Sequence, residues 1–333
     1  MKFLSVLTSH LLPLFKLEKN PHKGLLAVEW IALGYLLFTV IMMVVLWDKL
    51  QNASAMMSGR VEFVAVTLAM WIVYRLIPCR MTLFLRIVVQ MAFLGWWYPD
   101  TYELNRALPN LDHVFAQWEQ SLWGCQPSLL FSQKVPWGWF SEIMCLSYVS
   151  YFSLMLLVYI YYFLKRYQEF QMTAFVILAS FFAYYVIFVL IPVTGPQFYY
   201  LAAGTDQIAA GVFPNLGDWF MTHSERMAAP GWTEGFWYHM LELTHDAGER
   251  PTAAFPSSHV GITTVVMLLA LRTRSKALVF TILPFYLAMC LSTVYIYAHY
   301  GIDVIAGLIT GAAFYFLFVY IYPYTATECR QKR

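Results

Sequence analysis

The sequence is poor in charge, since only 12% of its 333 residues are Asp, Glu, Lys or Arg, against about 25% in a typical soluble domain. Hydrophobic residues make up 60% of the chain, and the mean hydropathy is +0.58. These values exclude an ordinary soluble domain and indicate an integral membrane protein. A net charge of only +2 gives no reason to expect nucleic acid as a partner.

Metal-ligand spacing and a signal-peptide cleavage site are also missing. The apolar stretches in the first 15 residues are followed by Leu17-Glu18-Lys19-Asn20 rather than by small residues. Residues 1–24 are therefore interpreted as an N-terminal interfacial arm. The five cysteines are scattered, and we expect isolated free thiols: Cys79, Cys125, Cys145, Cys290 and Cys329.

Long apolar runs are abundant, and they set the expected fold. A helix needs about 17 to 25 apolar residues to cross a bilayer. The runs are continuously apolar rather than alternating, which predicts helices and not strands. We expect an all-α integral membrane protein with a catalytic helix bundle of about eight transmembrane helices, at 25–47, 60–79, 82–98, 140–163, 171–193, 257–272, 277–297 and 300–321.

The distribution of basic residues predicts the orientation. Eight spans place both termini on the same side of the membrane. With that side cytoplasmic, 15 of the 21 Lys and Arg residues are cytoplasmic, as the positive-inside rule requires. Both termini are therefore predicted to be cytoplasmic, and residues 324–333 form a basic tail. The six Lys and Arg residues that fall on the outer side are Lys49, Arg60, Arg106, Lys134, Arg226 and Arg250.

Two long segments, 99–139 and 194–256, fall on the outer side and hold most of the acidic residues. They are rich in Trp, Tyr, Pro and Gly, which suits a membrane interface. Long loops that stay ordered are commonly functional. We therefore divide the chain into N-terminal transmembrane helices at 25–98 and a catalytic membrane domain at 99–323 that includes both loops.

The stretch Pro256-Ser257-Ser258-His259 stands at the predicted start of the sixth span. Ser257 or Ser258 is suited to cap a helix there. The free N–H groups of a helix N-terminus bind phosphate well, and the serine hydroxyls add donors. The alternative is an ordinary capped helix start with an interfacial histidine.

His299 and Asp303 lie four residues apart at the start of the eighth predicted span. On a helix this spacing places them on one face, where Asp303 can accept the Nδ1–H of His299 and leave the other nitrogen free. The alternative is a structural His–Asp pair. The topology brings His259 and His299 to the same membrane face, where one could attack phosphorus while the other protonates the leaving oxygen.

The combination of FPSSH and HYGID, forty residues apart, resembles the type 2 phosphatidic acid phosphatase superfamily, mainly over residues 99–310. This resemblance implies that His299 becomes phosphorylated, that Asp303 orients it, and that His259 acts as the general acid.

The chain departs from the phosphatase pattern in two places. The Ser-Arg pair usual about six to seven residues before the nucleophile is Ser292-Thr293 here. The upstream lysine–arginine–proline motif is also not evident, with Arg250-Pro251 as a candidate substitute.

In these departures the chain resembles the branch of inositol phosphorylceramide synthases and sphingomyelin synthases. Three stretches also resemble that branch, namely STVYIYAHYGIDVIAG, GPQFYY at 195–200 and WEQSLWGCQPS at 118–128. This branch implies head-group transfer between lipids. A phosphodiester carries one negative charge whereas a monoester carries nearly two, so a diester site needs fewer cations.

Six further residues are candidates for binding substrate. Gln197 could hydrogen-bond a phosphate or a sugar hydroxyl, although Gly195-Pro196 beside it also fits a plain helix stop. A metal is not expected, because a nucleophilic histidine must keep its nitrogen free, and no cofactor is expected. The predicted substrate-binding residues are Ser257, Ser258, Arg250, Gln197, Tyr295 and Tyr102.

We therefore expect a lipid phosphotransferase. It would move a phospho-head group from a glycerophospholipid to a lipid alcohol, ceramide or diacylglycerol, through a phosphohistidine. A lipid phosphatase that uses water is the first alternative, and a transporter whose His–Asp pair relays protons is the second. The expected location is a bacterial inner membrane with a periplasmic active site, or otherwise a Golgi-type membrane with a lumenal one.

Overall fold

A computed structural model describes residues 12–325. The predicted arm and tail therefore lie partly outside the described residues, at 1–11 and 326–333. The described part contains no strand beyond an isolated bridge between Leu17 and Cys79, so the predicted all-helical fold is confirmed. Its α-helices are α1 Ala27–Leu46, α2 Ala53–Leu76, α3 Arg80–Ala92, α4 Leu94–Asn105, α5 Asp112–Trp123, α6 Pro127–Lys134, α7 Gly138–Val149, α8 Tyr151–Lys165, α9 Tyr167–Leu190, α10 Pro196–Ala203, α11 Thr205–Ala209, α12 Phe236–Gly248, α13 Ser258–Arg272, α14 Lys276–Tyr295 and α15 Gly301–Thr325.

Six helical segments in residues 12–325 are long and apolar enough to cross a membrane. The helices α7 and α8, bent by 50° where they meet, make a seventh if they form one span. The sixth predicted span, at 257–272, corresponds to α13, which has 15 residues where a span needs about 20. The six segments long and apolar enough to cross a membrane are α1 extended to Lys49, α2, α3 with α4, α9, α14 and α15.

Four of the charged residues inside the N-terminal spans form two ion pairs. Arg86 in α3 forms a fully buried ion pair with Glu29 in α1. Arg60 in α2 binds both carboxylate oxygens of Asp100 in α4, at 2.9 and 2.8 Å. An unpaired charge within a membrane is costly, so these pairs explain how α1 to α4 tolerate charge and which helices they join.

The bundle is centred on α9 and α13, whose side chains are mostly buried. The helices α13 and α15 cross closely through Gly307 and Gly311. A methyl group on Gly307 would lie 2.6 Å from the Ser257 carbonyl oxygen, and one on Gly311 would lie 2.8 Å from Cα of Gly261. Small residues four apart allow such close backbone approach. This crossing joins the segment that carries His259 to the helix that carries Asp303.

The two long segments predicted as loops contain several helices. They include α5 and α6 in the first and α10 to α12 in the second. Glu142 of α7 accepts the backbone N–H groups of Trp237 and Tyr238, both at 3.0 Å, in the first turn of α12. A carboxylate at a helix N-terminus is favourable, and this contact fixes α12 against the bundle. The proposed division at 25–98 and 99–323 stays a prediction.

Candidate active site

The first histidine motif forms a capped helix start, as its sequence predicts. The helix α13 begins at Ser258, and the Ser257 side chain accepts the Val260 N–H at 3.4 Å. His259 is therefore in the first turn of α13. The Ser257 N–H donates to the backbone carbonyl of Asp303 at 3.0 Å, which ties the two histidine motifs together through the main chain.

The second histidine lies between α14 and α15, one turn before Asp303. Nδ1 of His299 is 2.7 Å from the carbonyl oxygen of Ala254. The nearest Asp303 oxygen is 3.5 Å away, longer than an ordinary N–H···O bond. The Ala254 carbonyl, and not the predicted Asp303 carboxylate, is thus the direct acceptor, because a backbone oxygen from the first motif comes closer. A proton held on Nδ1 leaves the lone pair on Nε2.

Asp303 is fully buried behind His299. Its Oδ2 accepts the Tyr300 N–H at 2.9 Å, while its Oδ1 has no hydrogen-bond partner among residues 12–325. Its carboxylate is close enough to His299 to stabilise positive charge on that ring. The predicted pairing of the two residues is therefore electrostatic rather than a direct hydrogen bond.

His259 is held by aromatic rings and faces His299. Its ring stacks on Tyr148, with centroids 4.4 Å apart, and is tilted against Tyr151 at 4.5 Å. The ring centroids of His259 and His299 are 5.8 Å apart. Both histidines border one cavity. The structure therefore brings together His259, His299 and Asp303, the three residues predicted to carry the chemistry.

That cavity has a volume of about 310 Å³. Its polar end contains the two histidines with Ser258, Arg250 and Thr252, and the rest of the wall is mostly apolar and aromatic. Thr252 is buried, and its hydroxyl has no hydrogen-bond partner in the described part of the chain. An apolar pocket with a few convergent polar groups is typical of a small-molecule site.

Arg250 and Ser258 are the two of the six predicted substrate-binding residues that line the cavity. Gln197 lies behind it and donates to the Glu249 carboxylate at 3.1 Å. The three others do not line it, because Ser257 caps α13, the Tyr102 hydroxyl donates to the Phe220 carbonyl, and the Tyr295 hydroxyl donates to the Val135 carbonyl.

The position of the missing arginine is closed to the cavity. Ser292 and Thr293 are fully buried, and the Ser292 hydroxyl donates to the Met144 carbonyl at 2.6 Å. Arg226, the other outer cation near this region, is engaged by Glu242 and Asp246 at 2.9 and 2.8 Å. Arg250 is then the one Lys or Arg among the described residues that line the cavity.

The sequence did not single out Glu249, which lines the cavity beside Arg250. Burial raises the pKa of this carboxyl group to about 7, partly offset by His299 and Arg226. A single carboxylate in an outer loop has no sequence motif around it, so only the fold shows that Glu249 lies at the cavity. The cavity thus holds one arginine and one glutamate, which nearly balance in charge when both are ionised.

Two other carboxylates support the site from behind. Asp112 accepts the backbone N–H groups of Thr194 and Gly195, at 2.7 and 2.9 Å, and the Tyr300 hydroxyl at 3.0 Å. Glu119 accepts the two N–H groups that open α15, at 2.9 and 3.1 Å. Asp112 is fully buried, so it supports the loops from inside rather than facing solvent.

The fold and the site define a multi-pass helical membrane protein with two histidines at helix ends, facing one amphipathic cavity. Residues 113–317, more than half of the chain, match the family model of the PAP2 superfamily. The chain belongs to this superfamily, whose members are phosphatases and phosphotransferases. Membership supports a lipid phosphatase or phosphotransferase type of activity. A search of curated proteins and a search of solved structures each gave no match.

Proposed function

We propose that this protein transfers a phospho-head group from a glycerophospholipid to a lipid alcohol, such as ceramide or diacylglycerol. The observation that carries the proposal is that His259 and His299 border one cavity, with ring centroids 5.8 Å apart. The Ala254 carbonyl holds the His299 proton on Nδ1, and this leaves Nε2 as the nucleophile.

In the first half of the reaction, Nε2 of His299 attacks the phosphorus of the donor. The bond between phosphorus and the diacylglycerol oxygen breaks, and that oxygen takes a proton from His259. The product is diacylglycerol and a phosphohistidine that carries the head group. The Asp303 carboxylate, 3.5 Å from the ring, stabilises the positive charge that the ring acquires.

In the second half, His259 has lost its proton and acts as a base. It takes the proton of the acceptor hydroxyl, whose oxygen attacks phosphorus. The bond between phosphorus and Nε2 breaks and regenerates His299. The head group is then on the acceptor lipid, and each histidine is back in its starting protonation state.

The charge of the cavity favours a phosphodiester donor. A diester phosphate carries one negative charge, whereas a monoester carries close to two. Arg250 is the one Lys or Arg among the described lining residues, and Glu249 beside it carries the opposite charge when ionised. The Arg that the phosphatases usually carry is replaced by the buried Thr293. These contacts support transfer from a diester over hydrolysis of a monoester.

Phosphate placement follows from the same residues. The N-terminus of α13 offers backbone N–H groups and the Ser258 hydroxyl, and Arg250 and Thr252 line the same cavity. The excess of basic residues predicted for the opposite side supports a site on the extracytoplasmic face. We therefore propose a periplasmic site in a bacterial inner membrane, with a Golgi-type lumen as the alternative.

The test is a lipid exchange assay with purified protein in vesicles. The donor phospholipid carries an isotopic label in its head group, and ceramide, diacylglycerol or no acceptor is added. We expect a labelled new phospholipid that depends on the acceptor, and no product from His299→Ala. His239→Ala serves as the matched control, since His239 is exposed on α12 and does not line the cavity.

Hydrolysis is the second candidate function, because superfamily members include phosphatases. Release of free phosphate from phosphatidic acid, with no exchange product under any acceptor, would establish it in place of transfer. The same family membership favours either enzyme over the proton-coupled transporter that the His–Asp pair alone also allowed.

A further inference from the structure

The cavity extends away from the histidines to a place where two helical segments are interrupted. The segment that spans Arg80–Asn105 is broken at Phe93, between α3 and α4. The pair α7 and α8 is broken at Ser150 and bent by 50°. Residues just after each break line the cavity, namely Leu94 and Gly95 on α4 and Tyr151 and Phe152 on α8.

At this place the cavity reaches the outer surface of the bundle. Phe152 is 65% exposed, and Gly95 and Pro99 on the facing helix are also exposed. All three line the cavity. They belong to helical segments with the length and hydropathy of membrane spans. The opening is therefore on the side of the bundle, towards lipid.

The lining changes in character along the cavity. Arg250, Thr252 and His299 are polar lining residues, whereas Leu94, next to Gly95 at the opening, and Tyr185, whose hydroxyl donates to the Leu94 carbonyl at 3.2 Å, belong to the apolar and aromatic wall. A phospholipid has the same order, with a charged phosphodiester followed by acyl chains. Burial of acyl chains against apolar side chains is favourable in proportion to the area covered.

The wall formed by α4 lies outside residues 113–317, the segment that matches the family model. The catalytic residues are within that segment. The helix α4 thus adds a wall to a site whose catalytic residues belong to the family segment. The ion pair between Arg60 and Asp100 fixes this wall to α2.

We propose that the acyl chains of the lipid substrate occupy the cavity between α4 and α8, and that the lipid passes sideways from the bilayer through the gap beside Gly95. This inference rests on the proposed function for the identity of the donor. It assigns to α4 a role in choosing substrates by chain length, which the catalytic residues alone do not provide.

Gly95 offers a clean test of this opening. A Cβ added at Gly95 would have no neighbouring atom within 4 Å, and its φ is not in the left-handed region. A large side chain is therefore accommodated by the fold and narrows the gap. Gly34 of α1 is the matched control, because it is also an exposed helical glycine with no neighbour within 4 Å, and it does not line the cavity.

The experiment compares Gly95→Trp, Gly34→Trp and the wild type on two donors with the same head group, one dioleoyl and one dihexanoyl. For Gly95→Trp we expect kcat/KM to fall roughly tenfold or more on the long-chain donor, with little change on the short-chain donor. Gly34→Trp should match the wild type on both. An equal loss on both donors, or no loss on either, overturns the proposal.

A double variant guards against an indirect effect on folding. Phe152→Ala widens the gap from the α8 side, and the exposed Phe152 side chain contributes little to the core. Gly95→Trp with Phe152→Ala should recover the long-chain activity, and failure to recover it contradicts the shared opening. If the wild type gives no exchange product, the proposed transfer fails, and the same variants are compared on long- and short-chain phosphatidic acid.

Discussion

Nδ1 of His299 lies 2.7 Å from the backbone carbonyl oxygen of Ala254. Ala254 precedes His259 by five positions, so the main chain of the first histidine motif orients the histidine of the second. A backbone acceptor fixes the proton on Nδ1 without adding charge. In the proposed reaction this contact separates two tasks, because Ala254 sets the tautomer of His299 and Asp303 supplies the negative charge.

Asp303→Asn tests this separation. The tautomer should survive, since Ala254 remains, but the charge that stabilises the positive ring is lost. We expect kcat to fall roughly 10- to 100-fold with KM nearly unchanged. Steady-state kinetics on the exchange reaction measure both values. An unchanged kcat, or a loss near the roughly 10⁴-fold seen where an aspartate alone sets the tautomer, would contradict the assignment.

The pH dependence of the reaction should report His299. Burial lowers its pKa to about 4, and the Ala254 carbonyl and Glu249 offset this only in part. A lowered pKa keeps the ring neutral and nucleophilic down to lower pH. Activity should therefore be lost as the pH falls through about 4, and not near the ordinary value of about 6.5. A profile of kcat/KM against pH in the wild type measures this limb.

Glu249→Gln should relax the selection against phosphate monoesters. Burial raises the pKa of Glu249 to about 7, so the group is neutral below that pH and negative above it. The wild type should reject phosphatidic acid more strongly as the pH rises through about 7, whereas the variant should show only the smaller change caused by the second ionisation of the phosphate monoester itself. The ratio of phosphate release to head-group exchange between pH 6 and pH 8, roughly one unit on each side of that value, measures the effect. Equal ratios in the two proteins would remove Glu249 from substrate selection.

Asp112→Ala should destabilise the fold. The substitution leaves buried donors at Thr194, Gly195 and Tyr300 without their acceptor. We expect a loss of about 3 kcal/mol or more in the free energy of unfolding, measured in detergent. Glu234→Ala, at an exposed loop position, should change it by about 0.5 kcal/mol or less. Equal stability of the two variants would contradict the role of Asp112 as the shared hydrogen-bond acceptor of these three residues.

Local patterns in the sequence predicted most of the candidate catalytic residues. Pro256-Ser257-Ser258 predicted the capped start of α13, which the structure has. The spacing of His299 and Asp303 predicted that they share a helix face, but His299 precedes α15, which begins at Gly301, and comes within 3.5 Å of Asp303 in its first turn. Continuous apolar runs predicted the all-helical fold. Each of these signals depends on residues a few positions apart.

The remaining features depend on contacts distant in the chain. The Ala254 carbonyl is a backbone atom with no side-chain signature, and Glu249 reaches the cavity only because α12 packs on α7. Arg86 is separated from Glu29 by 57 positions, so no local pattern pairs them. Tyr102 and Tyr295 illustrate the opposite error, since both were predicted to bind substrate, yet their hydroxyl groups donate to distant carbonyl groups.

The most direct test of the central claim is to locate the covalent intermediate. Wild-type protein is mixed with a donor whose head-group phosphate is labelled, quenched in alkali to preserve a phosphohistidine, and digested for mass spectrometry. We predict a labelled phospho-head group on His299, which disappears when ceramide or diacylglycerol is added before the quench and is absent from His299→Ala. Exchange that proceeds at the wild-type rate in His299→Ala, with no label on the protein, would contradict the account.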